Sequence, residues 1–354
     1  MLYYPEPTTT TSFKTDQNGE TKENKEDYDD QGKYYDMCLT NDPKYLAPIR
    51  NLERKFGFVT PLIWKNVILM ALAHIVLAYQ IVMYFMYSKD RLLFSSIVQI
   101  LLYGYMAGFG ITAGIHRLWS HRSYKVKTPF KIFLLLCFAL TGQKTVYRWV
   151  RDHRVHHKRC DTSGDPHDAS RGFFFSHIGW FMMKKHPHVI TEGAKIDMSD
   201  ITGDPILVFF DRHYGVFKLL ICFVIPALIP VWVFGETWAN SLLTVNLRYF
   251  LTLHLTWCVN SFAHMYGSKP YDKNIMPSQN VILSVLLIGE GWHNYHHTFP
   301  WDYKSAELPY FINLTTLILD AAALVGQVFD RKVATPAIVK AIAQKKGDSS
   351  WKIS

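Results

Sequence analysis

Four long apolar runs constrain this chain more than any other feature. They occupy residues 66–87, 92–115, 217–234 and 242–262. A helix rises about 1.5 Å per residue, so runs of this length each cross a hydrocarbon core of about 30 Å. Lipid offers no partner to a bare backbone amide, so apolar runs of this length cross as helices. The expected fold is therefore an all-α integral membrane protein with four transmembrane helices. Residues 88–91 form a tight connection between the first two runs, and residues 235–241 join the last two. Pro226 and Pro230 lie inside the third run, where membrane helices accommodate kinks. Residues 132–140 are apolar but too short to span. Residues 310–329 are long enough, but Asn313, Asp320 and Gln327 mark them as a core helix on the cytosolic side.

Charge divides the chain differently. Residues 1–42 hold ten acidic and four basic residues, a net −6. The chain as a whole is +9, so the remainder carries +15. The first 42 residues have little apolar surface to bury and are expected to be a disordered acidic tail. The ordered domain is expected over 43–347, with 348–354 as a C-terminal tail. A basic membrane body suits anionic headgroups or an anionic substrate. Its basic residues flank the apolar runs, so no nucleic-acid partner is expected. Cys38, Cys137, Cys160, Cys222 and Cys258 are scattered without a Cys-x-x-Cys pair, which argues against a disulfide framework or a thiolate zinc site. No cleavable signal peptide is visible, so the first run is expected to insert the chain.

Eight histidines form three clusters beside these runs: His116 and His121; His153, His156 and His157; and His293, His296 and His297. Neutral imidazole is the commonest protein ligand for transition metals. Two runs precede the first cluster, none separates the first from the second, and two separate the second from the third. All three clusters therefore lie on the face that holds the N-terminus. Arg50, Arg54, Lys55 and Lys65 precede the first run, and Arg117, Arg122, Lys125, Lys127 and Lys131 follow the second. The positive-inside rule makes this face cytosolic, and both termini are expected there.

Spacing carries the chemistry. Helix positions i, i+3 and i+4 share a face, so each of the two His-x-x-His-His trios is expected to aim its rings at one pocket. His116 and His121 are five apart, about 140° on an ideal helix. They converge only if the helix ends or bends between them, or if the site is broad. His264 lies where the fourth run ends, with Asn260 one turn earlier on the same face, and such a polar pair at the membrane is a functional candidate. His74, His254, His167, His177, His186, His188 and His213 read as structural. Nine nitrogen ligands exceed what one ion takes and suit two irons better than tetrahedral zinc. A neutral ligand shell leaves the charge on the metals, with open positions for O2. Acid–base groups cannot attack a methylene, so such a centre at a membrane face points to oxidation of lipid C–H bonds.

The motifs GITAGIHRLWSH at 110–121, RDHRVHHK at 151–158, RGFFFSHIGW at 171–180, GETW at 235–238 and GEGWHNYHH at 289–297 closely resemble the membrane-bound acyl-CoA desaturases of the stearoyl-CoA desaturase type, with insect-like features. The resemblance covers roughly residues 62–347. It implies a four-span fold with a cytosolic helical cap around a di-iron site in the endoplasmic reticulum membrane. It also implies a fatty acyl-CoA substrate, O2 as oxidant, and electrons from cytochrome b5 and its NADH-dependent reductase. By matching positions, the nine histidines are ligands and Asn260 holds an iron through a water. Arg151, Asp152, Lys184 and Lys185 fall at CoA contacts, and Gln143, Trp149, Trp180, Thr256 and Trp257 fall along the acyl tunnel. The expected reaction inserts a cis double bond into a saturated or monounsaturated acyl chain at Δ9, with Δ11 or Δ12 as alternatives.

Several positions depart from the family pattern. Trp292 stands where phenylalanine is usual, and Lys144 stands where asparagine is usual. Residues 159–167, RCDTSGDPH, differ from the family's usual Ser-Glu-Thr-x-Ala-Asp-Pro-His, whose serine falls at Cys160. Residues 276–279, MPSQ, lie where insect members carry a clade-associated tag, and a final glutamine resembles branches with a shifted double bond. Double-bond position depends on tunnel depth, where one methylene is worth only ~1–3 kcal/mol. Two rivals share parts of this pattern. A di-iron lipid hydroxylase would use the same oxidant and return oxygen to the carbon. A histidine-rich metal transporter would place its ligands at mid-membrane, whereas these follow the spans.

Overall fold

Residues 31–39, 42–87, 92–307 and 313–351 are described in the computed structural model. They divide into two compact units, Met1–Pro61 and Leu62–Ser354. The first contains helices α1 (Gln31–Met37) and α2 (Ala47–Lys55). Tyr35 is buried, and its hydroxyl donates to Glu53 Oε2 at 2.6 Å. Glu53 also accepts from Arg50, which pairs with Asp42. Helix α1 thus lies within the stretch 1–42 expected as a tail, and one tyrosine and one ion-pair network hold it against α2. Residues 1–30 lie outside the described residues.

Three helices of the second unit are long and apolar enough to cross a membrane: Trp64–Tyr87, Phe94–Ser120 and Tyr214–Phe234. The first is α3. The second comprises α4 (Phe94–Phe109) continued by a π-helical stretch, Gly110–Ser120. The connection at 88–91 lies outside the described residues. The fourth expected run forms an unbroken helix, Trp238–Asn260, of 23 residues, yet it is too polar to qualify by composition. The packing explains its polar residues. The helix lies against α3, α4 and the third apolar helix, and its polar groups meet partners there. Asn246 Nδ2 donates to Gln80 Oε1 at 2.8 Å. The buried Arg248 donates to the carbonyls of Leu140 at 2.8 Å and Cys222 at 2.6 Å. Polar groups in such a setting persist only when paired inside the bundle.

The GETW motif has a structural role. Gly235 takes φ 72° and ends the third helix. Glu236 Oε2 accepts from Leu93 N and Ser96 Oγ, and its Oε1 accepts from Asn240 Nδ2. Thr237 caps the next helix through Asn240 N. One carboxylate thus joins the starts of α4 and the polar helix.

The apolar stretch at 132–140 falls mostly within helix α5 (Thr128–Ala139), short as expected. Of the stretch at 310–329, residues 310–312 lie outside the described residues, and the rest contains the helix Leu314–Leu324, followed by strand β2 (Val328–Phe329). That strand pairs antiparallel with β1 (Lys125–Val126), with Lys125 opposite Phe329. The fold is otherwise helical among the described residues.

Gly110 opens the π-helical stretch at a close crossing with α5. A Cβ there would lie 2.3 Å from Phe138 N and 2.4 Å from the Cys137 carbonyl carbon. Backbone cannot yield as a side chain does, so Gly110→Ala is expected to cost at least about 2 kcal/mol through overpacking. A lowered thermal midpoint of the purified protein in detergent checks this. An unchanged midpoint would show that the two helices separate freely.

Candidate metal centre

Four pieces of chain carry the nine histidines to one place. They are the π-helical stretch with its cap His121, helix α6 (Val146–Lys158), the short helix Phe262–Met265 and the short helix His293–Thr298. Asp211 starts α6 by accepting from Val146 N and Tyr147 N at 2.7 and 2.8 Å. The π-helix settles the five-residue spacing. His121 N donates to His116 O at 3.1 Å, an i to i+5 bond, and the two rings stand 4.9 Å apart. A wider turn thus brings together two residues that an ideal α-helix separates. The third motif needs Gly289, whose φ is 118° and whose Cβ would lie 2.3 Å from Asn313 Oδ1.

The nine rings form two groups. In the first, nitrogens of His116, His121, His153, His157 and His296 all lie within 4.8 Å of one another. In the second, His264 Nε2 and His297 Nε2 stand 3.1 and 3.0 Å from His293 Nε2. His156 joins them, with its ring centroid 5.0 Å from those of His264 and His297. Each trio is therefore split, contrary to the single pocket expected for it. His153 and His157 enter the first group and His156 the second. His293 and His297 enter the second and His296 the first.

Carboxylates behind the rings fix their tautomers. His116 Nδ1 lies 2.9 Å from Glu290 Oε2, His156 Nδ1 lies 2.8 Å from Asp165 Oδ2, and His264 Nδ1 lies 3.0 Å from Asp161 Oδ1. Burial pushes the Glu290 carboxyl up, but Arg117 and His116 hold it at about 2. Burial likewise raises Asp161, and His264 more than offsets it, again to about 2. Ionised carboxylates only accept, so Nδ1 donates and Nε2 presents a bare lone pair inward. Burial first, then neighbouring imidazoles, hold His121, His153, His157, His293, His296 and His297 well below the ordinary histidine value. His156 differs: burial pushes it down, but Asp165 raises it overall.

This arrangement fits metal ions. His296 Nε2 lies 2.9 Å from both His116 Nε2 and His157 Nε2. His293 Nε2 stands in the same relation to His264 and His297. One ring proton cannot serve two such neighbours, so lone pairs face one another unless a cation lies between them. The Nδ1 atoms of His293 and His296 are buried without a partner. A second string of imidazoles behaves oppositely. His74 Nδ1 donates to Met70 O, His254 Nε2 to His74 Nε2, and His177 Nε2 to His254 Nδ1. One proton serves each of these three contacts, as expected of structural histidines.

Of the other candidate residues, Trp149 falls beside the first group. Trp149 stacks on His153 at 5.0 Å and donates to Gln143 Oε1, and Gln143 Nε2 donates to Thr256 Oγ1. Trp180 and Trp257 rings stand 6.3 Å apart. The buried Asp152 carries Lys144 at 2.7 Å, Lys185, and Arg151 at 3.7 Å. Lys144 also lies 4.4 Å over the Trp180 ring. Lys184 is half-buried next to Lys185, and Asn260 is half-buried at the end of its helix. Glu290, Asp161, Asp165 and Arg117 were not anticipated. Glu290 stands inside a histidine motif, which was the one signal available for it.

Apolar helices long enough to span, with a buried double group of convergent imidazoles, place the chain with histidine-rich proteins of membrane type whose rings could hold metal. The fatty acid desaturase family profile matches residues 93–311. The chain is 46% identical to the acyl-CoA Delta-9 desaturase of Acheta domesticus, over 82% of this chain and 81% of the relative. It is 46% identical to stearoyl-CoA desaturase 2 of Mus musculus, over 82% and 80%. It is 44% identical to a Delta(9)-fatty-acid desaturase of Caenorhabditis elegans, over 85% and 88%. The chain belongs to the fatty acid desaturase family. Membership sets aside the metal transporter.

Proposed function

We propose that this protein is an acyl-CoA desaturase that inserts a cis double bond at Δ9 of a fatty acyl-CoA. The carrying observation is the pair of imidazole groups whose Nε2 lone pairs converge beside the Gln143–Trp149–Thr256 contacts. It agrees with relatives named as Delta-9 desaturases. His116, His121, His153, His157 and His296 would hold one iron. His156, His264, His293 and His297 would hold the other, with Asn260 reaching it through a water. The chemistry an iron pair supplies is O2-dependent removal of hydrogen from adjacent methylenes. Glu290, Asp165 and Asp161 keep three rings in the tautomer that binds metal. Trp149, Trp180 and Trp257 exclude water from the acyl chain, and the Gln143–Thr256 contact lines its tunnel. In this reading, Trp238–Asn260 is the fourth span, the site lies on the cytosolic face of the endoplasmic reticulum membrane, and cytochrome b5 delivers the electrons.

Expression in a desaturase-deficient yeast with double-bond mapping tests the activity. A new Δ9 acid is expected. No new unsaturated acid from any supplied chain length would overturn the reading, and a hydroxylated product would replace it with a hydroxylase.

Lys185 would meet the CoA phosphates. Burial lowers its pKa to about 8, with Asp152 pulling the other way. The ammonium is charged below that value and lost above it. KM for acyl-CoA is therefore expected to rise several-fold between about pH 7 and about pH 9. Lys185→Arg should flatten the profile, because guanidinium stays charged. An equally steep profile in that variant would assign the pH dependence to another group.

A further inference from the structure

Cys160 stands where the family pattern has serine, just past the end of α6. Its Sγ and one nitrogen each from His156, His264 and His297 all lie within 4.8 Å of one another. It is the only cysteine brought into such a group among the described residues. The thiol donates to Asp161 Oδ2 at 3.0 Å, and the same carboxylate accepts from His264 Nδ1. A second observation points to a cation here. His156 and His264 both give their Nδ1 protons to carboxylates, which leaves each Nε2 a bare lone pair, and His264 Nε2 faces His293 Nε2 at 3.1 Å.

We propose that Cys160 is an additional, thiolate donor to the metal ion of the second histidine group. The inference rests on the reading of that group as a metal site. A bound divalent ion deprotonates a coordinating thiol outright. The S–H bond breaks, a sulfur–metal bond forms, and the proton passes to Asp161 and on to water. No electron moves. A serine hydroxyl at this position, far less acidic than a thiol, would remain a hydrogen-bond donor. The substitution therefore converts a supporting position into a coordinating one and makes the two metal sites unlike in donor type: five imidazoles in one, imidazoles with sulfur in the other.

The test uses the full-length protein in detergent, stripped of metal and reloaded with cobalt(II) without oxygen. The wild type is expected to show a sulfur-to-cobalt charge-transfer band in the near ultraviolet. Cys160→Ser should lose the band while keeping its cobalt, and Cys258→Ser should keep both. X-ray absorption of zinc-loaded wild type should show a sulfur neighbour at about 2.3 Å. That measurement decides the question even if the variant fails to fold. Cobalt bound without the band, a band that survives Cys160→Ser, or a shell of nitrogen and oxygen alone would overturn the proposal and leave the metal centre intact. Failure of the wild type to bind cobalt at all would overturn the metal centre, and this inference with it.

Discussion

Glu290→Ala is expected to lower stability by about 3–5 kcal/mol, the cost of breaking a buried ion pair by removing one partner. Glu290 Oε1 accepts from Arg117 Nε at 2.9 Å and Nη2 at 2.7 Å, and Oε2 accepts from His116 Nδ1. Arg117 is 1% exposed. Its Nη1 already serves the Tyr303 carbonyl and Thr316, so no other acidic group replaces the lost carboxylate. The variant buries an unpaired guanidinium and frees the His116 ring to take the wrong tautomer. Metal affinity at the first group should fall about 10–100-fold, as for other carboxylates that orient metal-bound histidines. Glu290→Gln keeps the shape and should be intermediate in stability. The wild-type contribution also has a defined pH window. The folded carboxyl titrates at about 2 against an ordinary 4.5. Its stabilisation is complete above the ordinary value and is lost as pH falls from there toward about 2. Thermal unfolding in detergent at several pH values checks both statements. Equal midpoints for wild type and Glu290→Ala would mean that the pair contributes nothing net.

His296→Ala is expected to abolish double-bond formation and to remove one of two metal equivalents. The ring lies 4.4 Å from that of His116, 4.5 Å from His121 and 4.7 Å from His157. No other residue of its helix joins the first group. The remaining four histidines of that group would have to close over the gap, and α6 cannot move because Asp211 anchors its start. Activity loss should exceed a hundredfold, more than is typical for a supporting residue. His213→Ala, on an exposed ring bonded to the Phe209 carbonyl, should retain both activity and metal. Metal content of the purified protein and acyl analysis in yeast are the two readouts. Full metal content with normal product in His296→Ala would remove the first group from the mechanism.

Much of this was legible in the residue order. Apolar runs gave the three spanning helices to within three residues at most ends, because hydrocarbon thickness sets their length. The polar helix Trp238–Asn260 was legible as a helix. What its Asn246, Arg248 and His254 do was not, since their partners Gln80, Leu140, Cys222 and His74 come from distant segments. The helix inside residues 1–42 was not legible because the partners of Tyr35 lie 15 and 18 residues away. The carboxylates behind the histidines were missed for a similar reason: Glu290 and His116 are 174 residues apart, and no local spacing announces such a pair.

The histidine spacing by itself determined that each trio lies close together on one helix. Only the tertiary structure decided which ring joins which group. At about 100° per residue, i+4 lies about 40° to one side of i and i+3 about 60° to the other. His153 and His157 therefore point together, as do His293 and His297, while His156 and His296 lean away. A single helix cannot say whether that divergence is closed by one broad site or two. The facing helices answer it here. Each supplies to its partner's site the one ring that leans across.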